Sequence, residues 1–407
     1  MYSLLTEAQA EETGLIVSFY GTTDRLMQDQ AVTYDQALGG LAFLLKGDKA
    51  HIERAKRIFE FYYNKYKAAS TSFNGFKNMY NAKTAGVGIE NIVHTGPNLW
   101  MGVFSLHYYI RTADERGLEL AKAIYNWSRK LAHTQEPRLL RGGPNESWAS
   151  TEHNLDYCGF LNLLIPLLPA NEAAEAQQVL TNLQNCIAEK LFYRGYNEES
   201  YFFYRGYEDP ILAIDTVTMA LLAWDRQTFK RLNIDPYKLL TINAPRFAVG
   251  DQGFDVTDNP PRDKYPFYEF TLQMALAHYV LAQMLEANSR EEMLRQADRI
   301  NSLVSSETGY TYCQKKGVKV WFDNPYWRTN DGPSASTGSW DIFANDRFNP
   351  LAPLEPIVLQ IKKSVTASKV ELTIIRNNPK IKSVEIYDSG DLDRWNYLLT
   401  TELGGYS

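Results

Sequence analysis

Six apolar helices open at a near-regular interval along this 407-residue chain, near positions 35, 95, 152, 215, 269 and 335. The spacing is roughly 60 residues, the length of a helical hairpin with its loop. In the first repeat, an almost wholly apolar helix runs from Asp35 to Leu45. The next, His51 to Tyr66, carries Ala55, Ile58, Phe59 and Tyr62 at helical spacing and is polar elsewhere. The same pairing of apolar and two-faced helices recurs through Trp100–Ile110 and Asp114–His133, through Glu152–Leu168 and Ala173–Lys190, through Asp215–Trp224 and Gln227–Leu240, and through Glu269–Glu286 and Ser289–Ser302. The sixth apolar helix begins at Ser334 and reaches Ala344.

An apolar helix must be covered on every side, whereas a two-faced one needs cover on one side only. Six inner helices ringed by outer ones meet both demands, so the expected fold is all-α, an (α/α)6 toroid over residues 1–351. No outer helix follows Ala344, and the segment from Leu4 to Ile16 is assigned to that place. Every long loop precedes an inner helix, so the loops gather at the end where the inner N-termini point. Past Pro350 the texture changes. Ile357–Leu359, Lys369–Ile375 and Ser383–Ile386 read as strands in a small C-terminal extension, 352–407, and the polar stretch from Asp388 to Ser407 reads as disordered.

The net charge of −6 is spread over both signs with no Lys/Arg run, so nucleic acid is not an expected partner. No apolar run approaches the roughly 20 residues of a membrane span. Met1 to Glu7 lack the basic-then-apolar order of a secretory leader. Together these features predict a soluble, cytoplasmic protein. Cys158 and Cys186 sit in apolar helical patterns and read as core thiols, and no Cys-x-x-Cys accompanies them or Cys313. The histidines and cysteines offer no ligand cluster, so neither metal nor cofactor is expected.

The helix openings carry the chemistry. They contribute Asp35, His94, Glu152 with Asp156, Asp215, Glu269 and a Ser/Thr-rich sixth. One acid near a helix N-terminus is favoured by the helix dipole alone. Carboxylates on four of six inner helices, converging on one mouth, exceed that account, because burying several together is costly unless they are paired or protonated. Paired carboxylates are what glycoside hydrolysis uses: one protonates the leaving oxygen, and the other activates water or attacks the sugar.

Thr33-Tyr34-Asp35-Gln36-Ala37-Leu38, His94-Thr95-Gly96-Pro97, Ser150-Thr151-Glu152-His153-Asn154-Leu155-Asp156, Asp215-Thr216 and Glu269-Phe270-Thr271-Leu272-Gln273-Met274 resemble motifs of the six-hairpin carbohydrate-active enzymes. Within that class they are most similar to a group of bacterial glycosidase-like proteins. The resemblance spans residues 14 to 351, and the sequence departs from the group at Phe270, where Trp or Gly is usual. It implies a carbohydrate substrate. Glu152 is then the expected general acid, Asp215 or Glu269 the base or nucleophile, and Asp35 a hydroxyl ligand or alternative base. Tyr34, His94, Arg141, His153, Asn154, Asp156 and Tyr268 are expected to contact substrate. Trp100, Trp148, Trp321 and Trp327 are candidate stacking platforms.

Three rivals remain at this level. A sugar epimerase of the same fold would work through histidines, from His94, His153 and His278. A polysaccharide lyase would set Tyr34 or Tyr268 beside Arg141. A glycan-binding protein would keep the bowl without the chemistry. The first rival is separated from a hydrolase by whether histidines or carboxylates face one another in the cavity.

Overall fold

The structure is a computed structural model that describes residues 2–196, 200–258, 265–304, 311–314 and 330–352, together with four strands beyond them. The chain forms two compact units, 1–352 and 353–407. Among the described residues the first unit has thirteen α-helices. Six are inner helices: α2 (Thr33–Lys46), α4 (Thr95–Thr112), α6 (Thr151–Leu164), α8 (Ile214–Ala223), α11 (Tyr268–Met284) and α13 (Ala335–Asn345). Each packs on the next, and α13 packs back on α2, so the ring is closed. Its outer layer is α3 (Lys49–Ala69), α5 (Glu115–Ser128), α7 (Ala170–Cys186), α9 (Arg226–Arg231), α10 (Pro236–Phe247) and α12 (Ala287–Ser302). The sixth outer place is taken by α1 (Tyr2–Ala8), which packs on α13. The fold is the (α/α)6 toroid that the hydrophobic period requires.

Local chemistry explains the boundaries. The single outer helix expected over Gln227–Leu240 is two, because Asp225 and Asp235 each cap a new helix and Pro236 stands at the first helical position of α10. The inner helix expected to reach Leu168 ends at Leu164, ahead of Pro166.

The inner N-termini show how the ring is held. The first helical N–H of each inner helix, an orphan by helix geometry, donates to a carbonyl in the loop that leads into the next. Thr33 bonds Asn78 (2.8 Å), Thr95 bonds Gly142 (2.7 Å), Thr151 bonds Arg205 (2.8 Å), Ile214 bonds Val256 (3.0 Å), Tyr268 bonds Cys313 (2.8 Å) and Ala335 bonds Ser18 (2.9 Å). The last of these closes the circle. At the fourth helical position Gln36, Asn98 and Asn154 clamp the backbone N–H and C=O of Ile16, Phe76 and Leu140. The loops are thereby fixed to the helix mouths, which makes this end of the toroid a rigid rim.

Two short antiparallel ladders decorate that rim. β1 (Gln30–Val32) pairs with β2 (Met79–Asn81), and β3 (Phe192–Arg194) with β4 (Tyr201–Phe203). The second unit has two antiparallel hairpins, β5 (Val358–Lys363) with β6 (Val370–Ile375) and β7 (Ser383–Asp391) with β8 (Arg394–Glu402). Part of the polar stretch from Asp388 lies in β7 and β8, whose register shifts between Ile386 and Tyr387 and between Asp388 and Asp391, and residues 392–393 and 403–407 lie outside the described residues. Among the described residues no helix is long and apolar enough to cross a membrane.

Candidate active site

The inner helices bring their first-turn carboxylates together at the rim. Glu152 lies at the second position of α6 and Asp215 at the second position of α8, and these helices are neighbours. Their carboxyl groups act on each other, Asp215 raising the Glu152 pKa, and Asp215 Oδ1 is buried without a hydrogen-bond partner. Two buried carboxyls this close favour keeping a proton on one of them. Glu152 is the one that keeps it: burial raises its pKa well above the usual range, and the charges of Asp215, Asp156 and Glu269 raise it further. Asp215 is raised less, to about 6, because burial is opposed by the Thr216 and Asp215 amides of its own first turn and by Arg205.

Asp156 stands one helical turn behind Glu152 and is 2% exposed. Burial and Asp215 hold its pKa well above the carboxylate range, and the Trp100 indole is the donor that faces it. That indole is not aligned for a well-formed bond, and both carboxyl oxygens are buried without one.

Glu269, in the first turn of α11, is held on three sides. Tyr34 Oη donates to Oε1 (3.0 Å), Ser336 Oγ donates to Oε2 (2.7 Å), and Gln273 Nε2 reaches Oε1 at 3.5 Å. Trp340 Nε1 in turn donates to Tyr34 Oη (2.9 Å). Burial raises the Glu269 pKa while the Ser336 and Tyr34 bonds pull it down. Glu269 is thus the carboxylate with the fullest set of donors, fixed in place by α2 and α13. Tyr34, Trp100 and Trp340 meet edge to face, with centroids 5.7 and 5.8 Å apart, and wall the recess. Asp35 lies in the same cluster but deeper. Burial lifts its pKa to about 8 against a Ser18 hydrogen bond, and Glu269 adds to the rise.

A second group sits beside this one. His94 accepts from Asn78 Nδ2 at Nδ1 (2.9 Å), which leaves its proton on Nε2. Trp148, 40% exposed, contacts both His94 and His153 at 5.4 Å. Gly96 and Gly142 make the room: a Cβ on either would come within 2.4 Å of His153 or of the Trp148 ring. His94 and His153 are 6.3 Å apart on adjacent helix mouths. Burial lowers both pKa values, that of His153 to about 3 with His94 adding to the effect, so both rings are neutral. His278 lies inside α11 against the Met274 carbonyl (2.8 Å) and takes no part in the mouth. Arg141 borders this group, its carbonyl accepting from Thr95 Oγ1 and its Nε buried without a partner.

Three of the residues expected to contact substrate are buried. Asn154 is fully buried and spends its amide on the Leu140 N–H (2.8 Å), the Leu140 carbonyl (3.1 Å) and the Ser150 carbonyl (2.8 Å). Tyr268 is 4% exposed, and Trp100 is buried among aromatic rings with only its N–H turned toward the carboxyl cluster. Trp321 and Trp327 lie outside the described residues. Ser18, Ser336 and Trp340 were not foreseen. Ser336 and Trp340 orient Glu269 or its tyrosine from another repeat, brought there by ring closure, whereas Ser18 lies in the loop that leads into the helix carrying Asp35. Among the described residues no three His, Cys, Asp or Glu side chains converge as a metal-binding set.

No protein-family model matches the chain, and no curated protein matches it either. Solved structures do match in fold. A cellobiose 2-epimerase from Bacillus thermoamylovorans superposes with a TM-score of 0.64 at 12% identity, covering 84% of this chain and 95% of that one. A wild-type glycosidase gives 0.57 at 12% identity, covering 86% and 95%. A D-mannose isomerase gives 0.58 at 11% identity, covering 85% and 94%. At these identities the likeness establishes the toroid and leaves the chemistry to the site.

Proposed function

We propose that this protein is a glycoside hydrolase that cleaves an oligo- or polysaccharide by acid–base catalysis between Glu152 and Glu269. The observation that carries the reading is a Glu269 carboxylate held by Tyr34 and Ser336 in one cluster with Glu152, whose pKa burial and the charges of Asp215 and Asp156 raise well above the usual range. Glu152 gives its proton to the leaving glycosidic oxygen. Asp215 keeps that proton on Glu152 until the substrate arrives. Glu269 activates water or attacks the anomeric carbon, and the ionised Asp215 stabilises the positive charge that develops on the sugar. A neighbour of the same fold named as a glycosidase is consistent with this use of the toroid.

The alternative is a sugar epimerase or isomerase, the activity named for other neighbours. It is favoured by the proximity of His94 and His153. Against it, the two rings lie on adjacent mouths beside Trp148, both are neutral, and the groups that hold a movable proton are carboxyls. Incubation with a panel of α- and β-linked oligosaccharides in deuterated water separates the two. Hydrolysis releases new reducing ends without deuterium on carbon. Epimerisation incorporates deuterium beside the carbonyl carbon and releases no new ends, and that outcome would overturn the proposal.

A further inference from the structure

The hairpin of β3 and β4 belongs to the loop between α7 and α8, and so to the rim at the inner N-termini. Its two faces differ. Tyr201 and Phe203 point into the core and are buried, and Asn243 Nδ2 donates to the Tyr201 carbonyl from below. The opposite face carries Tyr193 and its cross-strand partner Phe202, followed two residues on by Tyr204. These three rings are mutual neighbours, with centroids 5.4, 6.0 and 5.6 Å apart. Tyr193 is 42% exposed, while Phe202 and Tyr204 are half-buried. Arg246, anchored to Asp258 at 2.7 Å, lies over the Phe202 ring and fixes it from one side.

The patch adjoins the candidate active site through the backbone. The Tyr204 carbonyl accepts from Thr151 Oγ1 (2.6 Å) and the Arg205 carbonyl from the Thr151 N–H (2.8 Å), and Thr151 immediately precedes Glu152. The three rings therefore stand on one face of a hairpin whose continuation, at Tyr204 and Arg205, is hydrogen-bonded to the start of the acid helix. Core packing explains Tyr201 and Phe203 but not a tyrosine left half in water beside two more rings. Rigid rings with a polar tip suit the C–H faces of pyranose sugars while leaving hydroxyls hydrated.

We infer that Tyr193, Phe202 and Tyr204 form a stacking platform for a glycan chain that extends out of the carboxylate recess, so that the substrate class is a polysaccharide rather than a disaccharide. The inference rests on the carbohydrate reading of the site, but it is tested by binding alone. Affinity electrophoresis of the full chain is run through gels containing soluble α-glucan, mixed-linkage β-glucan, mannan or xylan, with Glu152→Gln as the background so that nothing is consumed. The expected result is retardation in one of these gels, about tenfold weaker after Tyr193→Ala or Tyr204→Ala and recovered by Tyr193→Phe. Two substitutions guard against one that fails to fold, and circular dichroism checks each. Retardation that both alanine variants leave unchanged overturns the platform, as does migration that no glycan alters. A solution dimer that Tyr193→Ala dissolves would assign the patch to a second copy of the chain and overturn it too. If the glycan binds through these rings and the wild type still releases no reducing ends, the platform stands and the hydrolase reading falls.

Discussion

Asp215 on α8 raises the pKa of Glu152 on α6 across a helix–helix seam. Two neighbouring buried acids do not both ionise readily, and the asymmetry of their surroundings decides which one keeps its proton. The amides of the first turn of α8 and the charge of Arg205 favour ionised Asp215. Burial together with three neighbouring acids keeps Glu152 neutral.

Asp215→Asn is the direct probe of that relationship. Asparagine no longer repels the Glu152 charge, so the Glu152 pKa falls. Because the acid form is required, the alkaline limb of the kcat/KM profile moves to lower pH, by about one unit. A pH-rate series on the variant checks this, and an unmoved limb would remove Asp215 from the control of Glu152.

Tyr34→Phe acts on the opposite limb. It deletes the 3.0 Å hydrogen bond that holds Glu269 down, so the Glu269 pKa rises and the base is available only at higher pH. The acid limb shifts upward, and turnover below neutrality drops about tenfold. A profile whose acid limb is identical in Tyr34→Phe would show that Glu269 is not the group titrating there.

Asp35 makes a stability prediction. Its folded pKa of about 8 lies above the ordinary 3.8, so the folded state holds a proton that the unfolded chain releases. Folding stability therefore falls as pH rises from about 4 through about 8. Asp35→Asn keeps an acceptor for Ser18 and escapes that loss. The variant should gain on the wild type as pH rises and be the more stable by on the order of a few kcal/mol at pH 8. Thermal melts at pH 5 and pH 8 suffice, and a wild type that holds its advantage at pH 8 would contradict the assignment.

Asn154→Ala should behave as a structural lesion. It breaks three hydrogen bonds and leaves the Leu140 N–H and C=O buried without partners, which costs about 2–4 kcal/mol. The melting temperature falls while KM at low temperature stays at the wild-type value. A KM effect without a stability effect would return Asn154 to the substrate.

Much of this arrangement can be read in the sequence because burial leaves a periodic trace. An inner helix has no solvent face, so Ala37–Leu45 carries no charged side chain and Leu155–Leu164 is apolar but for Asp156 and Asn162, and the repeat follows from them. The polar residues at the mouths are harder to sort. Asn154 stands between Glu152 and Asp156, but its amide turns to the loop backbone. The clue was the recurrence of Gln36 and Asn98 at the same helical position, which only an alignment of the repeats exposes. The partners of Glu269 carry no local signal, since Tyr34 is 235 residues away and Ser336 is 67. The exposed side of β3 and β4 was missed because a three-residue strand is too short to show alternation. The polar composition after Asp388 suggested disorder, yet backbone pairing sets the β7–β8 register, and composition is a poor guide to it.

Glu152 as the acid is the central claim, and leaving-group dependence tests it most directly. Wild type and Glu152→Gln are compared on the oligosaccharide that the wild type hydrolyses and on the corresponding glycosyl fluoride, whose leaving group needs no proton. The account predicts that Glu152→Gln loses about 10³-fold or more on the oligosaccharide and stays within about tenfold of wild type on the fluoride. An equal loss on both, or no loss on either, would show that Glu152 is not the proton donor.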